Sequence, residues 1–417
     1  MKIRSSAGLA ILFVLFFVGS CNGSPEVKPK VLTVSQSEGM VKNGKVLFLY
    51  YCSHCHGTEG DGEGFNAEFL EKEPAELSDP EFLKKKNNEQ LYRVIDQGGA
   101  ALRKSHLMPV FGHTLSEYEI WSLVAFLREL AQDKSHPLIL PEKLNQERPK
   151  APSMTLQKVK TFSDWMAGEG GKADSISAGE KLFMKKKSCF ACHQIDGEGG
   201  KIGPDLSRAG FYYSPEWNFS WMSNPQEFKP GVKMPTLGVS LEEAGMIASY
   251  LNTLKADKDF EKWKSYLQPQ GDPENGKKLF FDPNGKVTCS KCHQVEKEGG
   301  NVGPNLSFIG TSRKAEFLLE SILDPKAVIT SGYATILILT KGRKFITGIK
   351  KNEDTNSIEV INKDGKLLKI NKDDIKKFKI QKISTMPANF KDLLEVQEVA
   401  DILAYLKTLT LPAISGK

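Results

Sequence analysis

The feature that most constrains this chain is a five-residue pattern, Cys-x-x-Cys-His, which occurs three times in 417 residues. The copies are Cys52-Ser53-His54-Cys55-His56, Cys189-Phe190-Ala191-Cys192-His193 and Cys289-Ser290-Lys291-Cys292-His293. Of the 7 cysteines, only Cys21 lies outside them. No spare pair remains for a disulfide, so the paired thiols are expected to bind something other than each other.

Each copy has the spacing of a covalent haem attachment. Two intervening residues let the thiols straddle one edge of the macrocycle, and the adjacent histidine then lies beneath the iron. A zinc or redox C-x-x-C is the alternative, but zinc needs four ligands and no second Cys or His pair accompanies each copy. The sequence therefore predicts three covalently bound haem c groups. Their expected attachment points are Cys52, Cys55, Cys189, Cys192, Cys289 and Cys292, and their expected proximal ligands are His56, His193 and His293.

A methionine followed by proline occurs once after each copy. Of the 10 methionines, only Met108, Met234 and Met386 precede proline. Methionine is usually core filler, but its recurrence at the same place in each repeat predicts the distal iron ligand. Imidazole and thioether ligation raises the iron potential, which suits electron transfer. In the first repeat, His106 and His113 are competing ligands.

A proline after each histidine offers a hydrogen-bond acceptor. The second ring nitrogen of a metal-binding histidine needs an acceptor that fixes the ring. Gly203-Pro204 and Gly303-Pro304 follow their histidines at matching distances. Pro74 is the candidate in the first repeat. We expect these proline residues to lie beside the proximal histidines.

The segments that flank each copy predict short amphipathic helices, because their apolar residues recur at helical spacing. The helices before the copies are expected at 44–48, 179–183 and 276–280, and those that end the repeats at 124–127, 248–251 and 403–406. An aromatic occupies the same place in each final segment, where core packing against the first helix is its expected role. The chain is thus predicted to be mainly α.

These motifs resemble the class I cytochrome c family, whose all-α domain wraps one haem. The resemblance covers about 38–132, 174–257 and 272–412, and it implies three tandem cytochrome c domains. In that family the proline carbonyl accepts from the proximal histidine and the methionine binds the iron.

The third repeat departs from the simple pattern, because Met386 lies much farther from its histidine than its counterparts do. Two β-rich pairs are predicted in between, at 333–339 with 344–349 and at 357–361 with 366–370. The repeat resembles a family of haem-binding domains in which a small β module interrupts a cytochrome c. The segments that carry this resemblance are 299–306, 323–325 and 385–387.

The first 21 residues resemble a lipoprotein export signal. Lys2 and Arg4 precede an apolar stretch at 7–18, which is too short to span a membrane comfortably. Small residues then precede Cys21, which is expected to become the lipid-bearing N-terminus. An ordinary signal peptide with an incidental cysteine is the alternative.

The expected organisation follows from these patterns. It comprises a signal peptide at 1–20, a lipid-anchored linker at 21–37, domain one at 38–132, a linker at 133–173, domain two at 174–257, a linker at 258–271, and domain three at 272–417 with a β insert at about 327–383.

The predicted function is electron transfer in the cell envelope. The formal charge of +6 falls to near neutral once the signal is removed and the haem propionates are counted, so no nucleic-acid partner is expected. The expected partners are a redox donor, a redox acceptor and, through the lipid anchor, the periplasmic side of a bacterial membrane. A cytochrome subunit of a larger dehydrogenase or respiratory complex is the alternative, followed by a haem peroxidase and a haem-based sensor.

Overall fold

The computed structural model describes residues 30–31, 34–151, 153–229, 231–255, 258–330, 332–353, 356–381 and 383–410. Helices are the commonest elements of the described residues, and the longer strands form one sheet. The predicted mainly α fold with a small β module is therefore confirmed. The predicted signal peptide and Cys21 lie outside the described residues. Within the described part, no helix is long and apolar enough to cross a membrane.

Unit one, residues 34–140, surrounds the first Cys-x-x-Cys-His copy. Its elements, with the strand that precedes it, are β1 (Lys30–Val31), α1 (Val34–Leu47), α2 (Ser53–His56), α3 (Pro80–Lys84), α4 (Asn88–Ala101), α5 (Glu117–Leu130) and β2 (Ile139–Leu140). Asn87 and Ser116 begin α4 and α5 with reciprocal side-chain and backbone hydrogen bonds, which satisfy free amide groups at each helix start. β1 pairs antiparallel with β2.

Unit two, residues 153–255, surrounds the second copy. Its elements are α6 (Leu156–Trp165), α7 (Ala173–Lys181), β3 (Gln194–Ile195), β4 (Glu198–Gly199), α8 (Ala209–Tyr212), α9 (Pro215–Ser223), α10 (Pro225–Phe228) and α11 (Leu241–Thr253). A π-helical turn, Leu182–Lys186, continues α7 toward the second copy.

Unit three, residues 258–410, surrounds the third copy. Its elements are α12 (Pro273–Phe281), β5 (Gln294–Val295), β6 (Glu298–Gly299), α13 (Ile309–Ser312), α14 (Ala315–Leu323), β7 (Thr335–Thr340), β8 (Phe345–Glu353), β9 (Ser357–Ile361), β10 (Leu367–Asn371), β11 (Ile375–Gln381), α15 (Phe390–Leu393) and α16 (Val396–Thr408).

In each unit the first long helix of the repeat crosses the last one at a glycine. A Cβ at Gly44 would lie 2.0 Å from the carbonyl oxygen of Ser122, and one at Gly179 would lie 1.9 Å from that of Met246. Gly276 makes an equally close approach to α16. Only a residue without a side chain permits this contact, which explains why glycine recurs at the same place before each copy.

The aromatic side chains of the last helices pack where the sequence predicted. The ring pairs, with centroid separations, are Phe48–Phe126 at 5.2 Å, Phe183–Tyr250 at 5.8 Å and Phe280–Tyr405 at 5.5 Å. Each pair joins the segment before a Cys-x-x-Cys-His copy to the last helix of that unit. The predicted core-packing role of these residues is confirmed.

Both linkers that were predicted between domains contain helical segments that pack onto the units. In α6, Phe162 is buried and stacks on Phe219 with ring centroids 4.3 Å apart. In the second linker, a 3₁₀ helix at Lys258–Leu267 buries Phe260, whose ring centroid lies 5.1 Å from that of Phe211. These buried aromatic contacts were not expected, because both segments were predicted to be linkers.

The β module is a five-stranded antiparallel sheet with the order β10-β9-β8-β7-β11. The two predicted strand pairs correspond to β7 with β8 and β9 with β10. β11 was not predicted, because lysines interrupt its apolar residues and most of its side chains are exposed. The module therefore has its own small core, formed by Ile336, Ile338, Ile358, Val360 and Ile370.

Units two and three meet through equivalent segments. Tyr213 and Arg313, which lie at matching positions after the two Gly-Pro sequences, form an antiparallel β-bridge. The guanidinium group of Arg313 also lies 4.1 Å from the ring centroid of Tyr213. Across the same contact, Arg208 Nη2 donates to Glu320 Oε1 at 3.0 Å. Like segments of the two units thus pair in antiparallel orientation.

Candidate haem attachment sites

One helical turn carries the attachment residues in each unit. In unit one, a π-helical turn at Phe48–Cys52 leads into α2, which contains Cys55 and His56. In units two and three, 3₁₀ turns begin at Cys189 and Cys289, and each carbonyl accepts from the backbone N–H of the histidine four residues later at 3.0 Å. Each histidine is thereby fixed directly after its two thiols.

A backbone carbonyl oxygen accepts a hydrogen bond from the proximal histidine in every unit. His193 Nδ1 lies 2.8 Å from the carbonyl oxygen of Pro204, and His293 Nδ1 lies 2.9 Å from that of Pro304. Because a carbonyl oxygen can only accept, Nδ1 must carry the proton. The lone pair of Nε2 is then free to bind a metal. The predicted acceptors in these two units are confirmed.

In unit one the predicted acceptor, Pro74, is wrong by one residue. His56 Nδ1 lies 2.9 Å from the carbonyl oxygen of Ala75. The carbonyl oxygen of Pro74 instead faces Gly62, where a Cβ would lie 3.0 Å from it. The following peptide therefore reaches the imidazole, and the interaction is preserved without the Gly-Pro sequence.

The glycine before Pro204 and Pro304 is required by the closeness of the imidazole. A Cβ at Gly203 would lie 2.4 Å from Cε1 of His193, and one at Gly303 would lie 2.7 Å from Cε1 of His293. Any larger residue would push the ring away from its carbonyl acceptor. In the Gly-Pro sequence, the glycine thus permits the close approach of the imidazole and the proline provides the carbonyl oxygen that accepts its hydrogen bond.

Burial keeps the attachment residues uncharged. It lowers the pKa of His56, His193 and His293, although the carbonyl hydrogen bonds partly oppose that change. It also raises the pKa of Cys52 and Cys189 to about 12. Reactive redox pairs stabilise the thiolate instead. Buried, uncharged thiols and imidazoles in apolar surroundings fit an apolar macrocycle.

A cavity of about 730 Å³ lies in unit one. Cys52, Cys55 and His56 line it, and Met108 lines it as well. Its other lining residues are mostly apolar, as in pockets that bind organic cofactors. The size, the thiols, the imidazole and the thioether together fit a covalently held haem.

The competing histidines of unit one lie outside this cavity. His106 Nε2 lies 3.6 Å from Glu71 Oε1, and the ring of His113 faces Gly238, where a Cβ would lie 2.2 Å from its Nε2. Neither residue lines the cavity that contains Met108. The geometry therefore favours Met108 over both histidines as a ligand.

The other two methionines lie in the same hydrophobic clusters as their cysteines. Met234 packs in the cluster that contains Cys189, and Met386 packs in the one that contains Cys289. The Sδ atom of Met234 accepts a hydrogen bond from Trp221 Nε1 at 3.0 Å. Trp221 was not singled out from the sequence, because a tryptophan 13 residues before Met234 follows no recognisable motif.

Comparison with known proteins gives matches in the first two units. Residues 39–127 match the family model described as cytochrome c oxidase, cbb3-type, subunit III, and residues 176–255 match the cytochrome c model. A cytochrome c of Stellaria longipes is 32% identical over 120 residues, which are 24% of this chain and 95% of the relative. A cytochrome c of Cochliobolus lunatus is 35% identical over 86 residues, which are 16% of this chain and 78% of the relative.

Among solved structures, a chain of the Kuenenia stuttgartiensis reducing HAO-like protein complex matches at 19% identity. The match covers 52% of this chain and 96% of that chain, with a TM-score of 0.18.

The helical fold and the Cys-x-x-Cys-His sites define a c-type cytochrome, an electron-transfer protein with covalently bound haem c. Consistent with this, the chain belongs to the cytochrome c family.

Proposed function

We propose that this chain is a tri-haem c-type cytochrome that transfers electrons between redox partners in the cell envelope. The observation that supports a count of three is the same hydrogen bond in every unit. In each, a carbonyl oxygen lies 2.8 to 2.9 Å from Nδ1 of the histidine that follows the two thiols. Unit three, with its interrupting β module, has this arrangement too.

The protein residues have distinct roles in the proposal. Six cysteines hold the cofactors by thioether bonds, namely Cys52, Cys55, Cys189, Cys192, Cys289 and Cys292. The proximal ligands are His56, His193 and His293, and the distal ligands are Met108, Met234 and Met386. When bound, haem c supplies an iron that changes between the ferric and ferrous states. The carbonyl acceptors orient the imidazoles, and the apolar side chains exclude water.

The location is part of the proposal. Cleavage before Cys21 and its acylation would tether the chain to the periplasmic side of a bacterial membrane. A donor and an acceptor protein would then reach the haems from that compartment.

Binding of carbon monoxide to the reduced protein tests the proposal against a peroxidase. Haems with histidine and methionine ligands have no free position, so the native protein should bind almost none. Met108→Leu opens one position and should bind about one carbon monoxide per chain, which serves as the positive control. Binding of one or more equivalents by the native protein would contradict the proposed ligand set and favour an enzyme.

A further inference from the structure

A short loop packs against the attachment turn in each unit. A Cβ at Gly64 would lie 2.4 Å from the carbonyl oxygen of His54, and one at Gly200 would lie 2.0 Å from that of Ala191. Gly300 makes the same contact in unit three. His54 and Ala191 both immediately precede the second cysteine of their copies. We call residues 64–66, 200–202 and 300–302 the edge loops.

The edge loops of units one and two meet through Asn66. This side chain has 0% exposure. Its Nδ2 group donates to the carbonyl oxygen of Ala191 at 2.9 Å and lies 3.4 Å from Cys55 Sγ. Its Oδ1 atom accepts from the backbone N–H of Lys201 at 2.6 Å. One side chain thus joins the attachment residues of both units.

The cavity of unit one extends to this junction. Besides Cys55, its lining includes Ala191, Cys192 and Ile202 of unit two. Lys233, beside Met234, also lines it, and Lys233 Nζ lies 3.3 Å from His54 Nε2. The two attachment sites therefore border the same space, with no further protein layer between them.

The β module covers the corresponding loop of unit three. Lys351 Nζ donates to the carbonyl oxygen of Asn301 at 2.6 Å. Val302 is only 3% exposed and packs with Ile349 and Ile361 of the sheet. The β module thus covers the edge loop of unit three, just as unit one covers the edge loop of unit two.

We infer that Asn66 is a positioning residue that holds the first and second haem sites edge to edge for electron exchange, while the β module closes the same edge of unit three. The inference rests on the proposed three-haem function. The exchange is a one-electron step, in which the ferrous haem of one unit is oxidised and the ferric haem of the other is reduced. It requires no proton and no further reactant.

The test compares Asn66→Ala and Asn66→Asp with Lys351→Ala in the full-length holoprotein. Aspartate keeps the volume of Asn66 but cannot donate to the carbonyl oxygen of Ala191, so it tests the contact even if the alanine variant folds poorly. Lys351→Ala is the matched control, because it removes the same kind of contact from the edge loop of unit three.

Two measurements report on the contact in protein that retains its haems. Neighbouring haems couple their transitions and give a paired positive and negative circular dichroism signal in the Soret band. Both Asn66 variants should weaken this signal, and they should slow electron redistribution after partial photoreduction, because the buried hydrogen bonds that fix the two sites against each other are lost. Lys351→Ala should change neither.

The possible outcomes separate the two proposals. If the Asn66 variants keep the Soret dichroism signal and the electron redistribution rate of the native protein, the inference is overturned. It is also overturned if Lys351→Ala loses as much of the signal and of the rate as the Asn66 variants do. A merely structural role of Asn66 would lower thermal stability without changing electron redistribution. Fewer than three haems in the native chain would instead overturn the proposed function.

Discussion

Replacement of Gly203 by alanine should selectively weaken unit two. The added methyl group would lie 2.4 Å from Cε1 of His193 and 2.6 Å from its Nδ1, so the ring must move. Overpacking of this kind costs about 1–3 kcal/mol. Displacement of Nδ1 from the carbonyl oxygen of Pro204 adds about 0.5–1.5 kcal/mol. The free energy of unfolding of unit two should therefore fall by about 2–4 kcal/mol.

Denaturant unfolding of the holoprotein, followed by circular dichroism and Soret absorbance, measures this effect. Gly168→Ala is the matched control in the same unit, because a Cβ there meets nothing within 4 Å. Gly303→Ala should have a smaller effect than Gly203→Ala, since its Cβ would lie 2.7 Å from the ring of His293. If Gly203→Ala and Gly168→Ala unfold at the same denaturant concentration, the close approach to the imidazole is not as described.

Three further predictions concern the iron ligands, the acid stability and the anchor. Met108→Leu conserves volume and should remove about a third of the sulfur-to-iron absorption of the oxidised protein and lower one haem potential, whereas Met184→Leu should change neither. Burial would raise the pKa of Asp133, but hydrogen bonds from Ser135 and the positive charge of the buried Arg128 lower that pKa to about 2. Since its folded-state pKa is depressed, ionised Asp133 should add about 2 kcal/mol to the free energy of unfolding above pH 4, and this contribution should be lost between about pH 4 and 2. Asp133→Asn should remove this pH dependence in unfolding titrations. It should also lower the free energy of unfolding by about 3–5 kcal/mol at pH 7. Cys21→Ala should release the protein from membranes with its haem content unchanged, and continued membrane retention would contradict the anchor.

The sequence predicted the parts of the fold that depend on local spacing. The helices around Gly44, Gly179 and Gly276, and the carbonyl acceptors Pro204 and Pro304, follow from repeated motifs. Each feature arises within a short stretch of chain, where residue order largely determines geometry.

The parts that were missed depend on contacts between distant segments. Asn66 and Trp221 gain their roles from partners that no motif connects to them. Ala75 replaced Pro74 because the loop of unit one has a different length and course. Phe162 and Phe260 lie in segments that were predicted to be linkers, and only their burial shows that they belong to neighbouring cores.

The haem content of the purified native chain tests the central claim most directly. A pyridine haemochrome assay after acid–acetone extraction, set against protein concentration from amino-acid analysis, counts the covalently held haems. About three haems per chain are expected, one for each Cys-x-x-Cys-His copy. A value of one or two would contradict it.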